Sequence, residues 1–140
     1  MGGYKIARRT DAADWMAAYP GFGEMRSFTD CLDTEEVAFT WRLMPPGTGG
    51  KGSYGHRHKD QEEIYFVVRG TVQFKLGDEV ADAGPHTAVR VGSDVFRSVH
   101  NDGPDEAELI ICSIKARGDE AETETLDDFW PADQAQESAT

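Results

Sequence analysis

Two histidines and a glutamate lie close together near the middle of the chain. His56 and His58 are separated by a single residue, and Glu63 follows at the start of an apolar run. Alternate side chains of an extended strand point to the same face, so the two imidazoles would share a face. Two imidazoles and one carboxylate leave other coordination positions of a divalent metal open, and such a set suits Fe, Mn, Ni or Zn. The spacing therefore predicts a 2-His-1-Glu site for one divalent metal ion.

A glycine-rich segment precedes these three residues. Gly47, Gly49 and Gly52 formally satisfy the pattern G-x-G-x-x-G, which opens a helix in dinucleotide-binding folds. The residues that follow are typical of a strand, so the pattern does not predict a dinucleotide site. The glycines instead allow the backbone to bend sharply and to bring the histidines inward.

The same stretch resembles the first motif of the cupin superfamily. Gly50, His56-x-His58, Glu63 and Gly70 match that motif position for position. The resemblance covers roughly residues 37–116 and implies a jelly-roll core. It also implies that His56, His58 and Glu63 ligate a metal ion, and that the chain forms a homodimer.

The second motif of the family is degenerate. In the register anchored on Asn101, Arg97 stands where the last histidine ligand of the family is expected, and a second register from Gly84 puts Val95 there. An arginine keeps its positive charge. In one outcome three ligands still hold the metal, and Arg97 binds a carboxylate or phosphate of a small anionic substrate. In the other outcome the metal is lost and Arg97 pairs with Glu63.

Three further features bear on the pocket and its surroundings. Tyr65 shares the face of Glu63, so it is predicted either to contact the substrate or to pack with its hydroxyl satisfied. Strand alternation puts His100 on the outer face, which predicts a surface or interface residue and no fourth ligand. The outward apolar residues Ile64, Phe66 and Val68 suit a dimer interface or packing between sheets.

Most of the chain is predicted to form short strands separated by turns. Residues 36–44 alternate between two faces, and glycine, proline and asparagine punctuate the later segments. A short helix is predicted near residues 11–19, capped by Thr10 or Asp11. The pattern predicts an all-β double-stranded β-helix (jelly-roll) barrel with a short N-terminal helix. We divide the chain into an N-terminal strand and helix segment (1–35), the cupin barrel (36–117), a C-terminal docking segment (118–131) and a disordered tail (132–140).

The composition argues against several classes of partner. There are 14 basic and 26 acidic residues, a formal net charge of −12, which disfavours binding to nucleic acids and anionic membranes. No apolar stretch is long enough to span a membrane, and the N-terminus lacks the apolar region of a secretory signal. These features predict a cytoplasmic protein.

The motif and the composition leave several functions open. The first is a small metal-dependent enzyme, dioxygenase-like or isomerase-like, acting on a small anionic organic molecule. The alternative is a non-catalytic or metal-free cupin that binds a small anionic ligand through Arg97. A third is a barrel whose main role is assembly.

Overall fold

The chain is described by a computed structural model for residues 2–58, 60–115 and 123–132. This part of the chain contains a 3-10 helix, Arg9–Asp11, followed by β-strands. The strands are β1 (Glu24–Ser27), β2 (Val37–Met44), β3 (Thr48–Gly49), β4 (Ser53–His58), β5 (Glu63–Arg69), β6 (Val72–Leu76), β7 (Glu79–Ala83), β8 (Ala88–Val91), β9 (Arg97–Asn101), β10 (Ala107–Ile114) and β11 (Thr123–Trp130). The predicted boundary at residues 117 and 118, and the predicted disordered tail beyond residue 132, lie outside the described residues.

The strands form two sheets whose pairs are antiparallel. One sheet has the order β1-β2-β10-β5-β8, and the other has the order β11-β4-β9-β6-β7 with β3 paired to β9. The all-β prediction is therefore confirmed. The predicted jelly-roll barrel is not closed, because within the described ranges the edge strands β1 and β8 pair with neither β7 nor β11. The two sheets face each other and leave a cavity between them.

The inner face of β2 shows how the space between the sheets is divided. Ala38, Thr40 and Arg42 line the cavity, whereas Met44 is fully buried in the hydrophobic core. The core contains alternate apolar residues from both sheets, including Tyr65, Val67, Val72, Phe74, Val99 and Leu109. Apolar packing therefore fills one end of the space, and the polar half of β2 leaves the other end open.

The predicted N-terminal helix is wrong, because only the 3-10 helix Arg9–Asp11 forms there. The carboxylate of Asp14 accepts hydrogen bonds from the backbone NH groups of Met16 (2.9 Å) and Met25 (3.0 Å). The backbone NH of Trp15 donates to the carbonyl of Met25 (2.8 Å). These bonds compete with a helical ladder and tie the segment to β1 as a series of turns. No helix among the described residues is long and apolar enough to cross a membrane.

The C-terminal strand β11 covers the strand that carries the two histidines. It pairs with β4 in a register that sets Thr125 opposite His56 and Thr123 opposite His58. At its end, Phe129 and Trp130 are 7 % and 0 % exposed. The strand thus anchors β4 to the body of the protein.

Candidate metal centre and cavity

The structure brings the three predicted metal ligands together on one wall of the cavity. His56 and His58 lie on β4, and Glu63 begins β5. One ligand atom from each lies within 4.8 Å of the others, and Nε2 of His58 is 3.5 Å from Oε2 of Glu63. Metal–ligand bonds of about 2.1 Å place ligand atoms roughly 3–4 Å apart around one ion. The donor set and its spacing therefore fit a divalent metal with small side-chain adjustments.

Glycines bring the backbone of this wall close to its neighbours. A Cβ atom on Gly50 would overlap the side chain of Ser98, and one on Gly55 would overlap the ring of Phe129. Only residues without a side chain allow the loop to pack on β9 and allow β4 to pass under β11. The glycines therefore place the two histidines between the neighbouring strands.

Further contacts orient the candidate ligands. The Tyr65 hydroxyl donates a hydrogen bond to Oε1 of Glu63 (2.9 Å), and Oγ1 of Thr123 lies 3.4 Å from Nδ1 of His58. A partner on one ring nitrogen leaves the other for the metal, and contacts of this kind position ligands in metal sites. The structure thus directs Nε2 of His58 toward Glu63.

The electrostatics of the cluster favour the protonation states that a metal requires. Burial lowers the pKa of His56 to about 4; the Glu63 carboxylate acts against this shift, and the charge of Arg97 adds to it. Burial alone would raise the pKa of Glu63, but hydrogen bonds from His58 and Tyr65 and the charge of Arg97 outweigh it and lower that pKa. Near neutral pH, His56 is therefore a neutral imidazole and Glu63 an ionised carboxylate.

Tyr65 packs with its hydroxyl satisfied, and its contact with a substrate stays a prediction. It lines the cavity, it is 4 % exposed, and its hydroxyl is bonded to Glu63. Burial and the nearby Glu63 carboxylate raise the pKa of Tyr65 above its usual value. The residue is therefore a neutral hydrogen-bond donor beside the candidate metal ligands.

Arg97 lies beside the cluster and is almost completely buried. It pairs with His56 across β4 and β9, and its side chain is 1 % exposed. Its two terminal nitrogens donate to the backbone carbonyls of Val95 (3.0 Å) and Gly92 (3.3 Å), while Nε lies 3.5 Å from Oε1 of Glu63. Arg97 therefore stands behind Glu63 as a fixed counter-charge and is not among the residues that line the cavity.

His100 lies on the outer face of its strand, as alternation predicted, but it is not exposed there. Its ring lies against Trp130, with ring centroids 6.0 Å apart, and Nδ1 accepts a hydrogen bond from the Lys51 backbone NH (3.3 Å). The residue is 7 % exposed, so the prediction of a surface position is wrong. The C-terminal strand covers it, a contact that local alternation cannot reveal.

The cavity that the cluster faces has a volume of about 830 Å³. Its wall includes aromatic and apolar residues near the N-terminal segment, among them Trp15, Met16, Phe22 and Met25. It also includes Arg42, a residue to which the sequence assigned no role. The sequence signal for Arg42 was the more polar face of the alternating segment at residues 36–44. If that face turns inward, its polar side chains must line a cavity.

Two facing antiparallel sheets with a cluster of candidate metal ligands on an inner wall are typical of the cupin class. The family model described as a cupin domain matches residues 40–113, just over half of the chain. The chain belongs to this family. None of the curated proteins matches it significantly.

Solved structures show the same fold. The polyketide cyclase RemF from Streptomyces resistomycificus is 18 % identical, with a TM-score of 0.67 over 94 % of this chain and 92 % of its own. A cupin protein from Bacteroides fragilis is 19 % identical, with a TM-score of 0.65 over 83 % and 87 %. A sugar phosphate isomerase from Silicibacter pomeroyi is 12 % identical, with a TM-score of 0.61 over 83 % of each chain. At these identities the likeness establishes the fold alone.

Proposed function

We propose that this cupin is a metal-dependent enzyme that acts on a small anionic organic molecule in the cavity. His56, His58 and Glu63 would hold one divalent ion, Fe, Mn, Ni or Zn. The observation that carries the proposal is the convergence of these ligand atoms on the wall of a cavity large enough for an organic substrate. The reaction is isomerase-like or dioxygenase-like.

The residues around the ligands have separate tasks in this proposal. A bound divalent ion would supply Lewis-acid polarisation of a substrate oxygen or, if redox-active, electrons for a reaction with O₂. Tyr65 and Arg97 hold the Glu63 carboxylate ionised and oriented, and Thr123 orients the ring of His58. Arg97 is assigned to Glu63 and not to substrate, because its terminal nitrogens already donate to backbone carbonyls.

The structural neighbours guide the choice of reaction to test first. Two of them are described as a polyketide cyclase and a sugar phosphate isomerase. An isomerase-like reaction is therefore tested first, because one of these neighbours is described as a sugar phosphate isomerase. Turnover measured with and without O₂ separates the two.

Substitution of the ligands tests the proposal. Glu63→Ala and His58→Ala are each expected to remove bound metal, because two remaining ligands hold a divalent ion far more weakly than three. Elemental analysis of protein purified without a metal-affinity tag measures the loss. His86→Ala is the matched control, since His86 is an exposed histidine outside the cluster. Retention of metal in both ligand variants would contradict the assignment.

A metal-free binding protein is the second candidate, and one observation favours it. Glu63 already has a hydrogen bond from Tyr65 and lies 3.5 Å from both His58 and Arg97. A carboxylate with these partners is stable without a metal ion. Mass spectrometry of ligands that copurify with tag-free protein, together with its metal content, distinguishes this candidate from the enzyme.

We also propose that the protein is a homodimer that associates through the outer face of the five-stranded sheet. Val37, Ile64 and Ile114 are 47 %, 44 % and 55 % exposed on this face, and Phe66 is half-buried beside them. Apolar surface of this kind gains free energy when a second copy covers it.

Light scattering after size exclusion measures the association. The unmodified protein is expected to elute as a dimer, and Ile64→Lys is expected to elute as a monomer, because a lysine would be buried without a partner. Leu126→Lys is the control, since Leu126 is 45 % exposed and lies on the other sheet. A monomeric unmodified protein would contradict the proposal.

A further inference from the structure

One guanidinium in the cavity wall has no partner among the described residues. Nε of Arg42 is inaccessible to solvent and makes no hydrogen bond, and no carboxylate of the described part lies within the 4.0 Å of an ion pair. Burial lowers the pKa of Arg42 from its usual value. By contrast, a carboxylate pairs with each of Arg9, Arg26, Arg57, Arg69, Arg90 and Arg97.

The backbone register places Arg42 at the boundary between cavity and core. Arg42 on β2 lies opposite Leu109 on β10, and Leu109 lies opposite Val67 on β5. Leu109 and Val67 are fully buried, whereas Arg42 lines the cavity together with Tyr65 and Tyr54. Because neighbouring strands are about 4.8 Å apart, β2 and the ligand-bearing β5 are separated by about 10 Å. A small molecule can therefore reach Arg42 and the metal ligands at once.

The other charged groups of the cavity wall have partners within the protein or are exposed. Glu63 is paired with Arg97, and Nζ of Lys115 donates to the backbone carbonyl of Thr34 (2.8 Å). Asp30 is exposed. A half-buried cation without a counter-ion is unfavourable, and a ligand anion relieves that cost. A ligand that enters the cavity therefore meets a guanidinium without a hydrogen-bond partner, at Arg42.

The outer part of the same cavity is apolar. Trp15 and Phe22 are 57 % and 48 % exposed yet both line it, and Met25 lies on the inner face of β1. Side chains of this kind bind aromatic or aliphatic groups. The wall therefore combines the unpartnered guanidinium of Arg42 with an apolar opening.

We propose that Arg42 binds the carboxylate of an amphipathic monocarboxylate, whose aryl or alkyl body lies against Trp15 and Phe22. The guanidinium matches a carboxylate through two parallel hydrogen bonds. A phosphate monoester fits less well, because the other lysine or arginine of the described wall, Lys115, lies six residues beyond Leu109, the residue opposite Arg42. The inference rests on the proposed function in one respect: the molecule held by Arg42 is the one that the metal centre would act on.

Binding of matched acids and amides tests the inference. The probes are benzoate, phenylacetate and cinnamate, their primary amides, and phenyl phosphate, titrated by NMR into the chelator-treated protein. The acids are expected to bind more tightly than the amides, and Arg42→Met is expected to weaken them by about tenfold or more. Arg69→Met is the control, because Arg69 pairs with glutamates on the surface. Any of four results would overturn the inference. They are equal binding of acids and amides, no binding of any acid, equal affinity of Arg42→Met and the unmodified protein for the acids, and tighter binding of phenyl phosphate than of the acids.

Two properties of the ligand-free Arg42→Met variant complete the test. Its Tm is expected to equal or exceed that of the unmodified protein, because an unpaired charge is replaced by an apolar side chain of similar length. A lower Tm would show that the guanidinium has a structural role and would overturn the inference. Its metal content is expected to be unchanged. If the unmodified protein binds no metal but binds the acids through Arg42, the proposed enzyme is wrong and the carboxylate site stands.

Discussion

Replacing Arg97 by methionine is expected to lower the free energy of unfolding of the metal-free protein by about 3–5 kcal/mol. The substitution leaves the half-buried Glu63 carboxylate without its cation, and it leaves the carbonyls of Val95 and Gly92 without these donors. Urea unfolding in the presence of a chelator measures the change. Arg90→Met is the control, because the exposed pair between Arg90 and Glu62 is expected to contribute less than about 1 kcal/mol.

The same variant should respond more strongly to metal than the unmodified protein. A divalent cation between His56, His58 and Glu63 would replace the charge that Arg97 supplied, and it would no longer be repelled by a neighbouring guanidinium. The rise in Tm on addition of metal is therefore expected to be larger in Arg97→Met. A smaller rise, or a loss of metal affinity, would show that the orientation of Glu63 by Arg97 outweighs its repulsion of the ion.

Replacing Trp130 by alanine is expected to lower the free energy of unfolding by about 3–5 kcal/mol, the usual cost of removing a large buried aromatic side chain. Trp130 is fully buried, its ring lies against His100, and Nζ of Lys51 lies 6.0 Å from its centroid. Thermal and urea unfolding measure the loss. Leu126→Ala on the same strand is the matched control. Its effect is expected to stay within about 0.5 kcal/mol of zero, because the Leu126 side chain is 45 % exposed.

Trp130 also connects the C-terminal strand to the loop before the histidines. Its backbone carbonyl accepts a hydrogen bond from Gly52, just before β4 begins. Loosening this contact should let the histidines move, so Trp130→Ala is expected to bind metal more weakly than Leu126→Ala under conditions where both are folded. Unchanged stability in Trp130→Ala would contradict the anchoring role given to β11.

The parts of the site that depend on local geometry could be predicted from the sequence. His56 and His58 share a face because strand alternation is a local property, and Glu63 begins the next strand after a short connection. The cupin pattern and its fold follow from the same residues. The strand at residues 37–44 was likewise evident from its alternation.

The features that depend on distant contacts could not be predicted. The N-terminal helix fails to form because Asp14 bonds to the backbone of Met25, eleven residues away. His100 is buried because Trp130 arrives from the far end of the chain. Arg42 was overlooked because alternation defines two faces of β2 without saying which one is inside, and here the more polar face lines the cavity.

A crystal structure of the protein loaded with a divalent metal, with anomalous data at the absorption edge of that metal, tests the central claim most directly. The account predicts one anomalous peak per chain, within about 2.0–2.3 Å of nitrogens of His56 and His58 and an oxygen of Glu63. It also predicts that Arg97 keeps its contacts with Val95 and Gly92 and does not contact the ion. A peak elsewhere, or an empty cluster in crystals grown with excess metal, would contradict the account.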